Sequence, residues 1–207
     1  MALNTWIVFV CTVALLSGTP GPNMLHVMTR SIAFGVWRSI ATMAGCLTAL
    51  VLVLSASAAG MGAVLVASPE LFAILRYLGA TYLLYLGVKA WRAPVEGKGP
   101  DHGAVAFGSA LRLYRNGLVV GLSNPKLLLF AAAFLPQFVD QRGDAASQFT
   151  ILIATFAVIE TSWMTCYSFG GRSIALFLTK PARQRFFNRV TGSMFTGFGV
   201  VLAFTKA

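Results

Sequence analysis

The sequence predicts an all-α integral membrane protein with six transmembrane helices, arranged as two inverted three-helix repeats. Three observations predict this fold class. The 207 residues are 57% hydrophobic and only 11% charged, whereas soluble domains carry about 25% charged residues. Long uncharged runs recur along the chain, and the first predicted helix of each half is interrupted by glycine and proline.

Six segments are long enough to span a bilayer. A helix needs about 20 apolar residues to cross the hydrocarbon core. Residues 1–25 and 39–69 contain no Lys, Arg, Asp, Glu or His, and shorter uncharged runs can be extended by a turn because Lys and Arg heads snorkel to the interface. We predict helices near residues 4–33, 40–66, 71–91, 115–138, 147–170 and 189–206. The first block has no basic residue before Arg30, so we expect a mature helix and not a cleaved signal peptide.

The distribution of basic residues orients the predicted helices. If the six helices alternate, the loops after helices 1, 3 and 5 lie on one side and hold 12 Lys and Arg, against three on the other side. This bias predicts that the basic loops are cytoplasmic and that both termini lie outside. The same distribution argues against a nucleic-acid partner despite the net charge of +10. We expect the bilayer to be the partner, with basic loops near anionic lipid heads.

The chain carries no pattern typical of an enzyme. It has no Gly-x-Ser-x-Gly, no Walker loop and no His-Glu-x-x-His, so we expect neither catalysis nor a cofactor. An intramembrane hydrolase that pairs a serine with His26 is the enzyme alternative, but nothing in the sequence positions such a pair. Cys11, Cys46 and Cys166 are odd in number and unclustered, which predicts small core residues and no disulfide or metal site.

An internal repeat organises residues 1–207 as a single transmembrane domain. A polar segment, residues 92–114, is predicted to be a cytoplasmic linker between repeat one (1–91) and repeat two (115–207). Each repeat opens with a broken helix, and aligning Pro22 with Pro125 gives an offset of 103 residues. Three helices per repeat is an odd number, so the second repeat is inserted upside down. An inverted repeat with matching broken helices indicates a transporter site at the membrane midplane.

The two breaks supply the predicted binding groups. Proline in a helix interior costs about 3 kcal/mol, and in lipid the freed carbonyls need protein or a water-filled cavity. A buried proline kink is the alternative explanation. A helix that restarts after each break would point free N–H groups and a positive dipole end at a carboxylate, and bare carbonyls at an ammonium. The predicted site at the breaks comprises Gly21, Pro22, Asn23, Asn124, Pro125 and Lys126, with Asn124 as an N-cap.

Glu160 is the only acidic residue within a predicted helix. A charge at that depth costs about 3 kcal/mol, and such residues usually face the bundle interior. Three hypotheses remain open: Glu160 binds the substrate's amino group, carries a coupling proton, or pairs with Lys126. His26 lies one turn past the first break, where it is either a packing residue or a proton carrier.

Motifs in the first, third and fourth predicted helices resemble one known family. Thr19-Pro20-Gly21-Pro22-Asn23, the run from Gly79 to Gly87, Ser123-Asn124-Pro125-Lys126 and the run from Phe134 to Phe138 occur in order and register. With these motifs the chain resembles the LysE/RhtB family of amino-acid exporters over nearly its whole length. The resemblance implies export of amino acids across a prokaryotic plasma membrane, driven by the proton gradient. His26 is outside the shared pattern.

The residues and the resemblance together give one hypothesis and two alternatives. The hypothesis is a proton-coupled exporter that works by alternating access, with the substrate carboxylate near Gly21–Asn23 and Asn124–Lys126 and its ammonium near Glu160. The alternatives are a passive small-solute channel or facilitator and a membrane assembly or sensory subunit. A monomer contains one complete inverted pair, and a homodimer is also compatible with the sequence.

Overall fold

The computed structural model describes residues 1–67, 69–93, 109–140, 143–178 and 180–204. Over these ranges the protein is helical throughout, with eight α-helices and no strand. A π-helical turn (Phe130–Phe134) and a 3-10 turn (Leu135–Phe138) follow the sixth helix. The α-helices are α1 (Leu3–Gly18), α2 (Pro22–Phe34), α3 (Val36–Ala67), α4 (Pro69–Trp91), α5 (Ala110–Leu122), α6 (Pro125–Leu129), α7 (Ala145–Leu178) and α8 (Pro181–Phe204).

Both predicted helix breaks are confirmed. The first predicted helix, 4–33, is the pair α1 and α2, which meet at an angle of 50°. The fourth, 115–138, is divided into α5, α6 and the two irregular turns. By length and composition, Val36–Gly60 of α3 and Ala145–Gly171 of α7 can each cross a membrane, and the bent pair is a third candidate if it forms one span.

Helix ends differ from the predicted ones because hydropathy marks the apolar stretch and not the whole helix. The fifth predicted helix is α7, which ends at Leu178 and not at residue 170. The sixth predicted helix is α8, which begins at Pro181 and not at residue 189. In α7 the helix continues through Gly170, Gly171 and Arg172 into a second short apolar run. In α8, Arg183 and Arg185, which are good helix formers, lie in the turns before the apolar part. The predicted linker, 92–114, is shortened because α5 starts at Ala110. Residues 94–108 of that linker lie outside the described ranges.

Glycines allow two helix pairs to approach closely. Along the contact of α3 with α5, a Cβ at Gly117 would overlap the backbone carbonyl of Thr42. Along the contact of α4 with α8, a Cβ at Gly192 would lie 2.7 Å from the carbonyl of Gly87. Small residues at such contacts let backbones pack directly, which replaces the hydrophobic driving force that lipid cannot supply.

A tight turn joins α2 to α3. Gly35, the single residue between them, has φ of 85°. Because side chains rarely tolerate this region of positive φ, glycine allows α2 to end and α3 to begin with one residue between them.

Two buried clusters lie on either side of the first break. The aromatic cluster packs rings from three places: α1, the two irregular turns that follow α6, and α7. The ring centroids of Phe9 and Phe138 are 5.1 Å apart, and those of Phe130 and Phe156 are 5.0 Å apart. The methionine cluster joins α2, α3 and α7. It consists of Met24, Val27, Met28, Met43, Cys46, Met164 and Tyr167. On α7, Glu160 falls between Phe156 of the first cluster and Met164 of the second.

Candidate functional site

The first break exposes the start of α2. Gly21 is the N-cap, with an extended backbone, and Pro22 is the first helical residue, as the sequence predicts. No side chain caps this end. The N–H groups of Asn23 and Met24 are therefore among those that have no partner within the helix.

The second break is capped by its own side chain. Asn124 precedes α6, and its Oδ1 accepts a hydrogen bond from the backbone N–H of Lys126 at 3.1 Å. Pro125 is the first residue of α6. The predicted positions of Asn124 as an N-cap and of Pro125 as the first helical residue are thus confirmed. Because Asn124 satisfies one of the free N–H groups, this restart is less available to an anion than that of α2.

The Lys126 side chain connects the two breaks. Its Nζ donates to the carbonyl of Leu16 at 2.8 Å and to that of Thr19 at 3.2 Å. It also lies 3.2 Å from the position of a Cβ on Gly21, so a side chain there would crowd the ammonium. The carbonyls left by the first break therefore bind the protein's own cation and are not bare. An ammonium has three N–H groups, and these carbonyls account for two.

Glu160 is buried beside the same break. Its side chain is 3% exposed, and its Oε1 accepts a long hydrogen bond, 3.5 Å, from Nδ2 of Asn23. Its charge interacts electrostatically with that of Lys126. Between these two described residues the structure records no ion pair, because the ammonium is directed at backbone carbonyls instead. Opposite charges thus face one buried site without neutralising each other by direct contact.

Two polar groups at the site have no protein partner. The hydroxyl of Ser17 and the amide oxygen Oδ1 of Asn23 are both buried and unbonded. An unsatisfied buried polar group costs about 1–3 kcal/mol, so native proteins rarely retain one without a ligand or water partner. The site therefore offers one unused hydroxyl and one unused acceptor next to its two charges.

Three side chains of α7 share the face that meets the first break, and sequence reasoning identified only one of them. The hydroxyl of Tyr167 donates to the carbonyl of Gly18 at 3.0 Å. The ring of Trp163 lies 2.7 Å from the position of a Cβ on Gly18. Trp163 and Tyr167 follow Glu160 by three and seven positions, a helical spacing that places all three side chains on the same face. That spacing is the signal that could have found them.

The cysteines and His26 complete the comparison with the sequence. Cys46 is buried, and its thiol donates to the carbonyl of Gly117 at 3.3 Å. The prediction of core positions is wrong for Cys11 and Cys166, which are exposed, because an apolar segment in a membrane protein also presents residues to lipid. His26 has its Nε2 buried without a protein partner.

Known proteins match almost the entire chain. The LysE type translocator family matches residues 14–206. A homoserine/homoserine lactone efflux protein from Salmonella typhimurium is 33% identical over 203 residues, which cover 98% of both chains. A leucine efflux protein from Enterobacter sp. (strain 638) is 34% identical over 97% of this chain and 95% of its own. An uncharacterized membrane protein from Vibrio cholerae is 28% identical over the full length of both.

No solved structure matches the chain. The family match extends over both helix breaks, Lys126 and Glu160, and so includes the whole of the site described above. The chain belongs to the family of LysE type translocators.

Proposed function

We propose that this protein exports amino acids or closely related small zwitterionic solutes across the plasma membrane. One observation carries the proposal: a buried ammonium, Lys126, and a buried carboxylate, Glu160, face one helix break without forming an ion pair. The family and the relatives named for efflux of homoserine and of leucine support it. A zwitterion brings complementary charges for both groups.

The substrate carboxylate binds at the start of α2. There it accepts hydrogen bonds from the backbone N–H groups of Asn23 and Met24. It also accepts one from the side-chain ammonium of Lys126, through the N–H that the two carbonyls leave free. A helix N-terminus suits this role because its N–H groups and dipole both favour an anion. Gly21 and Pro22 shape this end of α2, and Asn124 and Pro125 hold Lys126 against it.

The substrate ammonium binds on the other side, between Glu160 and Oδ1 of Asn23. Both groups are acceptors, and Asn23 Oδ1 has no protein partner. The ammonium supplies the donors that these acceptors need, which removes the cost of an unsatisfied buried group. Asn23 is therefore the residue that both ends of the substrate contact.

The architecture we propose has six spans in two inverted repeats within one domain. The packing of the described helices supports it: α3 packs against α5, and α7 packs against α1 and α2. In each case the second span of one repeat contacts the first span of the other. The third spans, α4 and α8, contact each other. The positive-inside bias of the sequence supports an orientation with the basic ends in the cytoplasm and both termini outside.

Transport proceeds by alternating access with proton coupling. Glu160 binds the substrate ammonium from the cytoplasmic side as a carboxylate. Protonation from outside neutralises Glu160, which weakens its attraction for the ammonium and releases the substrate. The acid-to-amide variant Glu160→Gln mimics the protonated state and is expected to bind substrate weakly.

Flux under an imposed gradient tests the coupling. Proteoliposomes with equal labelled leucine on both sides are given a pH gradient, and net movement against the developing leucine gradient is measured. We expect uphill movement that stops when a protonophore collapses the gradient. A passive facilitator would only equalise concentrations, and an assembly or sensory subunit would move nothing; either result overturns the coupled exporter.

A further inference from the structure

The methionine cluster begins where the substrate ammonium is proposed to bind. Met24 adjoins Asn23, and Met164 lies four residues, just over one helical turn, beyond Glu160, a rise of about 6 Å. Cys46, in the same cluster, is close enough to interact electrostatically with Glu160. A substrate held by its ammonium at Glu160 therefore has this cluster within reach of its side chain.

The composition of the cluster is unusual for the chain. Four of the seven methionines lie in it, contributed by α2, α3 and α7: Met24, Met28, Met43 and Met164. Methionine is unbranched, has three rotatable bonds and a polarizable sulfur, and is over-represented at binding surfaces that accept ligands of several shapes. A buried group of thioethers can repack around a guest more readily than branched side chains can.

The opposite side of Glu160 lacks this adaptability. The aromatic cluster is packed ring to ring, and the rings of Phe9 and Phe130 have centroids 6.0 Å apart. Aromatic side chains have only two rotatable bonds and specific contact geometries. Entry of a substrate side chain there would separate several rings together. The aromatic cluster and the methionine cluster, which lie on opposite sides of Glu160, thus differ. Only the side chains of the methionine cluster can adapt to a substrate.

We propose that the methionine cluster is the subsite for the substrate's side chain, and that it selects uncharged side chains while tolerating differences in their shape. This inference rests on the proposed function and names its substrate class. None of the seven residues of the cluster is charged at neutral pH. A lysine or glutamate side chain would bring a charge into a buried apolar group with no partner, which is strongly disfavoured.

Export of a panel of amino acids from proteoliposomes tests the subsite. Export of labelled leucine, methionine, homoserine, lysine and glutamate is measured for the purified full-length protein. The three uncharged substrates are expected to move at rates within about tenfold of each other, and the two charged ones at least about tenfold more slowly. Lysine or glutamate moving as fast as leucine would overturn the inference.

Stiffening the cluster tests its role more directly. Met24→Ile and Met164→Ile replace adaptable side chains with branched ones, and Met194→Ile in α8, outside the cluster, is the matched control. The ratio of leucine to homoserine export is expected to change about tenfold in the cluster variants and not in the control. Equal loss of every substrate, with the ratio preserved, would mean that the methionines only pack the core and would overturn the inference.

Different results would contradict the proposed export function and the proposed side-chain subsite. If the wild-type protein, folded and inserted, exports no amino acid, the proposed function fails before any variant is compared. If the wild type exports amino acids but the ratio is insensitive to the cluster, only the subsite fails. Should an isoleucine variant not fold, the volume-matched Met164→Leu is measured instead, with a smaller change of ratio expected in the same direction and an unchanged ratio counting against the subsite.

Discussion

Replacing Lys126 with methionine removes the buried ammonium and keeps a side chain of similar length. The carbonyl of Leu16 retains the hydroxyl of Thr19 as a partner at 2.7 Å, whereas the carbonyl of Thr19 loses Lys126. An unpartnered buried acceptor costs about 1–3 kcal/mol. The change also removes the cation that faces Glu160, and two unit charges about 4 Å apart attract by about 4 kcal/mol at an effective dielectric constant of 20. Because these two charges do not form an ion pair, their attraction is smaller than that.

The diagnostic quantity is the coupling between the two charges, because a single substitution also avoids the cost of burying an ion. We expect a coupling free energy of about 1–3 kcal/mol between Lys126→Met and Glu160→Gln. Equilibrium unfolding of the wild type, both single variants and the double variant in mixed micelles, followed by tryptophan fluorescence, gives this value. A coupling below about 0.5 kcal/mol would refute the electrostatic link, since such values are typical of independent sites.

Three further predictions concern packing and capping. Gly117→Ala is expected to destabilise the contact of α3 with α5 by about 1–3 kcal/mol through overpacking, whereas Gly197→Ala, where a Cβ meets nothing within 4 Å, is expected to have little effect in the same unfolding assay. Gly18→Ala should destabilise the break because its Cβ meets the ring of Trp163 at 2.7 Å, and the smaller ring of Trp163→Phe should restore part of the loss; no recovery in the double variant would contradict this contact. Hydrogen bonds from the side chain and backbone of Ser147 lower the pKa of Asp144, so the stabilisation it gives the start of α7 is present above about pH 4 and is lost as the pH falls through the lowered value. Amide exchange at that end of α7, compared with Asp144→Asn, measures this loss.

The breaks were predictable because proline and glycine act on the local backbone. Pro22 and Pro125 each occupy the first position of the helix that follows a break, where proline is favoured, so the restarts could be read from the sequence. The same holds for Asn124 as an N-cap. Helix ends such as Leu178 and Pro181 did not follow from hydropathy, because polar or glycine-containing segments that hydropathy reads as helix ends lie within α7 and at the start of α8.

The partners at the site were not predictable from local pattern. Lys126 bonds to carbonyls 107 and 110 positions away in the sequence, a contact that only the tertiary arrangement determines. The expected positions of Cys11 and Cys166 failed for a related reason. In lipid, apolar residues face outward as readily as inward, so hydrophobicity does not distinguish the core from the lipid-facing surface.

The central claim is that Glu160 and the first helix break carry amino-acid export. The direct test measures the loss of label from proteoliposomes that are preloaded with labelled leucine or homoserine and given a pH gradient. The wild type is compared with Glu160→Gln after both are shown to be folded and inserted. The account predicts gradient-driven loss of label from the wild type and little from the variant. Undiminished gradient-driven loss from the variant would contradict the role of Glu160, and no loss of any amino acid from the wild type would contradict the exporter itself.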